Sequence, residues 1–377
     1  MDRQSSKRPK KKGRVSSRRA ATAFRIALGV NIASLALLWL CCAGQWISPA
    51  HFAPLALGGL AFPFALATTG FALLLTLLLA PRLVWLPVVG LLSCFGSLRT
   101  YYPLNFPSPA PRDCVGVLTY NVHGFFSYNG NNADIANYIA ESGADIAVLQ
   151  EAHISAAARA AGTLAPLERH YPHSDTLFVG SNVLMVASAY PIVGKRLLFR
   201  HGSNGAGLFL LKISERDTLW LVNAHLESMH LSNEELTAYS TMVHSLHEGR
   251  NLRLEEQSSL DIVRKIMAAG RERAAQADSL AAFLAENRGR NLMLCGDFND
   301  APVSYAHRAV TRYLDDAHTQ AGRSIGRSYN RNAIFVRIDQ MFYAPEYWKP
   351  YGCRVESRPD LSDHNPMMCR FKRRSGV

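Results

Sequence analysis

Residues 291–300 read NLMLCGDFND. The apolar run from Leu292 to Cys295 stops at Gly296, and Asp297, Phe298, Asn299 and Asp300 follow at once. A run this short, bounded by glycine, reads as a buried strand rather than a helix. Gly, Asp and Asn are ordinary turn formers, but a plain turn has no need of a Phe between two polar side chains. Gly296 permits a close backbone approach. Asp297 is suited to orienting or deprotonating a water, and Asn299 to holding a polar oxygen.

The same signature recurs along the chain. Residues 115–121 (VGVLTYN) end on Asn121, 145–151 (DIAVLQE) on Glu151, and 218–225 (TLWLVNAH) on Asn223, Ala224 and His225. Further strands are expected at 182–188, 208–213, 338–343 and 369–371. Helices are expected at 133–142 and 264–287, the second from the spacing of Ile266, Ala269, Ala277, Leu280 and Leu284. Apolar strands bury in a sheet, so several that end on Asn, Glu, His or Asp point to one shared rim.

The residue types suggest roles. A carboxylate that closes a buried strand, as Glu151 does, is a good ligand for a hard divalent cation such as Mg²⁺. In residues 362–366 (SDHNP), His364 follows Asp363 in a loop bounded by Pro, which suits acid–base work. Asp339, inside the apolar run IDQMFY, is costly to bury without a partner and is the candidate to orient the His364 imidazole. Asn223 and His225 share one face of their strand. Together they can grip a phosphate and protonate a leaving oxygen, and Asn121 completes the set.

In this order, TYNVHG (Asn121), LQE (Glu151), NAHLES (Asn223, His225), GDFND (Asp297, Asn299), RIDQMFY (Asp339) and SDHNP (Asp363, His364) resemble the endonuclease/exonuclease/phosphatase superfamily. The match spans residues 115–371. The resemblance implies a four-layered α/β sandwich, two packed mixed sheets with helices outside. It implies Mg²⁺- or Mn²⁺-dependent hydrolysis of a phosphoester. On the family pattern Glu151 with Asn121 binds the metal and Asp363 lies close to it. Asp339 orients His364, which stabilises phosphoryl oxygens or acts as base. Asp297 activates water beside Asn299, His225 assists the leaving group, and Asn223 contacts phosphate. Whether Asp297 or His364 is the base stays open. The arrangement also looks like a membrane-anchored bacterial subgroup, to which residues 186–193 and 273–280 have counterparts. It departs from the family in a long charged segment, residues 228–270, expected to be an inserted helical pair, and in Gln340, where many members have Tyr.

The chain has 377 residues and a net charge of +12, which invites a nucleic-acid reading. The distribution argues otherwise. Thirteen of the 41 basic residues and one of the 29 acids lie in the first 112 residues, leaving 28 of each in the remainder. Between residues 26 and 98 the only charge is Arg82. Apolar runs at 24–43, 54–80 and 83–98 compare with the roughly 20 residues that cross a bilayer; the third is the shortest. A cleaved leader would not account for the second and third runs.

The expected organisation is a basic cytoplasmic tail (1–23), a transmembrane module of three helices (24–99), a Pro-rich linker (100–112) and a catalytic domain (113–377). Basic residues keep the tail inside, and three spans place the domain outside the cytoplasm, in a multi-pass inner or plasma membrane protein. If the third run does not span, the domain faces the cytoplasm. The substrate is a phosphodiester, nuclease-like by default, with a phospholipid or an inositol phosphate as the alternative. A catalytically silent binding protein is the competing class, and the sequence implies no protein partner. Four arginines, Arg323, Arg327, Arg331 and Arg337, form a candidate basic patch, and Cys353 and Cys369 either pair or stay as buried thiols.

Overall fold

The apolar runs at 24–43 and 54–80 lie in helices α1 (Lys12–Ala43) and α2 (Gly58–Leu79) of the computed structural model. It describes residues 12–232, 234, 235, 237, 256–331, 336–358 and 360–374. The two helices are tied inside by Asn31, whose Nδ2 donates to Thr76 Oγ1 at 2.6 Å. The third run forms α3 (Trp85–Ser93) and α4 (Phe95–Tyr101), bent by 60° where they meet. It climbs beside α1: Leu83 packs near Ala27, Gly90 against Leu35, Trp39 donates to Ser93 Oγ, and Gln45 donates to Ser97 Oγ. Two helices are long and apolar enough to cross a membrane, or three if the bent pair is one span.

Beyond the linker the chain builds two six-stranded sheets. The first has the order β11 (Trp348–Val355), β12 (Met367–Arg373), β1 (Cys114–Asn121), β2 (Ile146–Gln150), β4 (Asn182–Ser188), β3 (His173–Val179). The second runs β5 (Ile192–His201), β6 (Asn204–Ser214), β7 (Asp217–His225), β8 (Leu292–Asp297), β10 (Asp339–Tyr343), β9 (Asp315–Asp316). Each is mixed: β1 is parallel to β2 and β7 to β8, and the other pairs are antiparallel. Val117, Val148 and Val186 of the first sheet meet Phe209, Leu221 and Met293 of the second in one core. Helix α5 (Ala133–Glu141) covers the first sheet from outside, and the long helix Glu256–Glu286 covers the second. Helix, sheet, sheet and helix are the four layers expected.

The two parallel pairs place the C-terminal ends of β1, β2, β7 and β8 at one rim. Across the second sheet, Asp339 pairs with Asp297 and Asp297 with His225. Three residues from distant parts of the chain thus stand in one row.

Several expectations need correction. The strands β3, β5, β9 and β11, absent from the sequence reading, are the four sheet edges. Their half-exposed faces carry no continuous apolar run. Arg337 does not belong to a surface patch: it is 0% exposed, and its guanidinium bonds Asp316, Gln340 and the Thr100 carbonyl. Of the segment expected to be an inserted helical pair, residues 238–255 lie outside the described residues, and 256–270 are the first half of a long helix, expected only from 264, that begins at Glu256. Of the two outcomes left open for Cys353 and Cys369, the structure has the buried free thiols, on adjacent strands. Within the Pro-rich stretch, Asn105 donates to the carbonyls of Thr319 and Gly322.

Gly296 shows why the opening motif needs glycine. A Cβ there would sit 1.9 Å from the Ala224 carbonyl oxygen, at φ +152°. Gly296→Ala is expected to cost about 2 kcal/mol or more, read as a lower unfolding midpoint; an unchanged midpoint contradicts this account of the β7–β8 contact.

Candidate active site

Asp297 ends β8 with 1% exposure and organises the rim. Its Oδ1 accepts from the Asn299 N–H at 2.8 Å and its Oδ2 from Asn121 Nδ2 at 3.0 Å. The Nε2 atoms of His225 and His364 each stand 3.6 Å from Oδ2. Burial lifts its carboxyl to about 6; His364 pulls it down, Asp339 pushes it up, and His225 pulls it down again.

His364 Nδ1 donates to Asp339 Oδ2 at 2.8 Å. Both side chains are buried. Burial works against a charged imidazole, but Asp339 and Asp297 outweigh it and hold His364 well above its ordinary value. A cationic His364 therefore presents an Nε2–H to the cleft. Tyr329 packs edge-on against this ring at 5.3 Å.

His225 is oriented differently. Asn182 Oδ1 accepts from the Val183 N–H, so its amide nitrogen is the atom bonded to His225 Nδ1. Nδ1 must then accept, and the ring proton sits on Nε2, facing the rim. Nothing in the sequence singled out Asn182; the signal is its place at the head of β4, next to the end of β2.

Glu151 lies one residue beyond β2 with φ +51°, a left-handed backbone rare for Glu. His123 (φ +43°) and Asn299 (φ +49°) share this strain. Three of the five described non-glycine residues with positive φ thus adjoin the cleft, where strain persists only if surroundings enforce it. Glu151 Oε1 accepts from Asn121 Nδ2 at 3.0 Å, and His123 Nδ1 lies 3.4 Å from Oε2. Burial opposes the Glu151 charge; His123, His225 and Asn121 outweigh it and hold the carboxyl well below the usual range. Sequence reasoning passed over His123, although it lies within the TYNVHG motif.

Three expected residues are placed otherwise. Asn223 does not reach the cleft: it is fully buried, donates to the carbonyls of Leu149 and Met185, and accepts from Gln150 Nε2. All its polar groups are spent joining the two sheets, so none is left for phosphate. Asn121 turns Nδ2 to the acids, because its Oδ1 accepts the His123 N–H. As placed it is a donor to Glu151 and Asp297. Asn299 donates Nδ2 to the Leu226 carbonyl at 3.0 Å, and the same nitrogen stands 3.4 Å from His225 Nε2.

The cleft holds ≈ 130 Å³. Glu151, Asp297, Asn299, Asp363 and His364 line it, with Met229, Leu231, Tyr329 and Ile338 as apolar and aromatic walls. No Lys or Arg lines it among the described residues, although the Glu151, Asp297 and Asp363 carboxylates face it. Hard oxygen donors with excess negative charge fit a divalent cation. Asp297, Asp339 and His364 also bring one ligand atom each within 4.8 Å of one another. The Asp339–His364 bond already satisfies two of these three, so the more exposed Glu151 and Asp363 are the better cation donors.

The model of the Endonuclease/Exonuclease/phosphatase family matches residues 118–364, and a domain family of unknown function (DUF8431) matches residues 24–101. Among solved structures, the chain is similar to an endonuclease/exonuclease/phosphatase from Beutenbergia cavernae (17% identity, TM-score 0.48, 70% of this chain and 72% of that one). It is also similar to the human Nocturnin catalytic domain (14%, 0.47, 71% and 97%) and to sphingomyelinase C from Streptomyces griseocarneus (19%, 0.43, 69% and 99%). No curated protein sequence matches.

The Asn182 lock is open to spectroscopy. Nitrogen-15 shifts of His225 are expected to report a single Nε2–H tautomer, and Asn182→Ala a mixture of both. A mixture in the unaltered chain contradicts the assignment.

Proposed function

The chain belongs to the endonuclease/exonuclease/phosphatase family, and from that membership we propose that it is a membrane-anchored, divalent-metal-dependent phosphodiesterase. The observation that carries the reading is the row Asp339–Asp297–His225, completed by His364 and faced by Glu151. Each group has a task in hydrolysis. Asp297, buried with a raised pKa, takes the proton of the attacking water. His364, held cationic by Asp339, stabilises the phosphoryl oxygens through Nε2–H. His225, neutral with its proton on Nε2, assists the departing oxygen by donating a hydrogen bond to it. Asn299 holds Asp297 in line through its backbone N–H. Glu151 and Asp363 would hold Mg²⁺ or Mn²⁺, with Asn121 positioning Glu151; the cation, when bound, neutralises charge building on the phosphoryl group. A silent binding protein has no use for a buried Asp339–His364 pair and an Asn182-oriented His225 converging on one carboxylate.

The anchoring reading rests on the helices. Residues 1–23 are the basic tail, 24–99 the membrane module, 100–112 the linker and 113–377 the catalytic domain. The ladder of contacts from Leu83 to Ser97 along α1 supports a third crossing. The domain then lies on the side of residues 44–57, opposite the basic tail, outside the cytoplasm.

The test uses the full chain with Mn²⁺ and bis(p-nitrophenyl) phosphate. Glu151→Gln and His364→Ala are each expected to lower kcat by about 10³-fold. Full turnover in both variants would contradict the site.

A further inference from the structure

The membrane module and the cleft share a wall. Ile338 and Tyr329 line the cleft, and the same two side chains pack on a cluster containing Leu38 of α1 and Phe62 of α2. Leu38 lies five residues before the end of α1, and Phe62 four after the start of α2. At 1.5 Å per residue both are about 6–8 Å inside the helix ends. This wall of the cleft is therefore built on the last two turns of the membrane module's helices, next to where they leave the bilayer.

The domain is held there from several sides. Gly59 of α2 approaches so closely that a Cβ would meet Ala301 Cβ at 2.8 Å and the Val303 carbonyl at 3.0 Å. Gly270 of the long helix lies against Ala56. Arg308 stacks on Trp46 at 4.2 Å, and the buried Arg337 donates to the Thr100 carbonyl. These contacts ring the seam, so the cleft cannot swing away on its linker.

The cleft itself suits an amphiphile better than a polyanion. No Lys or Arg lines it among the described residues, Met229 and Leu231 form an apolar wall, and bases and acids balance across residues 113–377. Polynucleotide binding draws on rows of phosphate-neutralising cations.

We propose that the substrate is a phosphodiester in the headgroup of a membrane lipid. This rests on the phosphodiesterase reading above and narrows it. Water bonds to phosphorus, one P–O ester bond breaks, the water's proton passes to Asp297, and the departing alkoxide, hydrogen-bonded by the Nε2–H of His225, takes a proton from solvent water. The products are an alcohol and a phosphomonoester, one of which stays in the bilayer.

The experiment reconstitutes the full chain in vesicles of mixed phosphatidylcholine, phosphatidylethanolamine, phosphatidylglycerol and phosphatidylinositol with Mn²⁺. Mass spectrometry reads diacylglycerol and phosphatidate. Bis(p-nitrophenyl) phosphate and duplex DNA are assayed in parallel. Lipid hydrolysis is expected, with DNA left intact. Gly59→Leu and Gly270→Leu, which wedge the seam at separate points, are each expected to slow lipid turnover about tenfold and leave bis(p-nitrophenyl) phosphate turnover unchanged. Cleavage of DNA or bis(p-nitrophenyl) phosphate with the lipids intact overturns the lipid proposal and keeps the phosphodiesterase reading. Wild-type lipid turnover in both variants overturns the role of the seam. Hydrolysis of none of the three overturns the phosphodiesterase reading itself.

Discussion

A carboxylate almost wholly removed from water is expensive unless its surroundings meet it with donors and opposite charge. Asp297 is such a group, and much of the rim exists to satisfy it. The close β7–β8 contact at Gly296 puts His225 beside it, β10 brings Asp339, and Asp339 brings His364. Asn121 arrives from the opposite sheet, so the hub also clasps the two sheets together. The left-handed backbone of Asn299 points its N–H back at Oδ1. Loss of any one donor leaves a buried charge short of a partner, which ties the fold's integrity to the site's chemistry.

The second constraint comes from the N-terminal apolar helices. Their ends are not spectators beneath a tethered domain. They meet Ala301 and Val303, a few residues past Asp297, and Val336 and Ile338, just ahead of Asp339. Arg337 sits between these last two and bonds outward to Thr100 and inward to Asp316 and Gln340. The Gln that stands where many family members carry Tyr thus has a partner in the same buried network. Two strand ends that carry site residues therefore pack against the ends of α1 and α2.

Much of this was legible in the sequence, for a physical reason. Central strands bury both faces, so β1, β2, β4, β7, β8 and β10 announce themselves as apolar runs, and their polar ends announce the rim. Edge strands expose one side and carry no such run, which is why β3, β5, β9 and β11 stayed hidden. Asn223 illustrates the reverse failure. Its period-2 spacing from His225 correctly puts both on one face, but spacing does not reveal how far a second sheet reaches over that face. Arg337 misled because a lone Arg among apolar neighbours looks like surface until its buried partners, Asp316 and Gln340, are seen. Asn182 and His123 act through contacts between strands distant in sequence, and no local pattern encodes those.

The central claim is that Asp297 is the group that takes the proton from the attacking water. Asp297→Asn keeps the size of the side chain and an acceptor for the Asn299 N–H, but removes the base. The direct measurement is single-turnover hydrolysis of bis(p-nitrophenyl) phosphate by the full chain in ¹⁸O-labelled water with saturating Mn²⁺. The unaltered chain is predicted to place one labelled oxygen on the phosphomonoester product, and Asp297→Asn to do so about 10³-fold more slowly. An Asp297→Asn chain that folds, binds Mn²⁺ and transfers the label at the unaltered rate would contradict the claim.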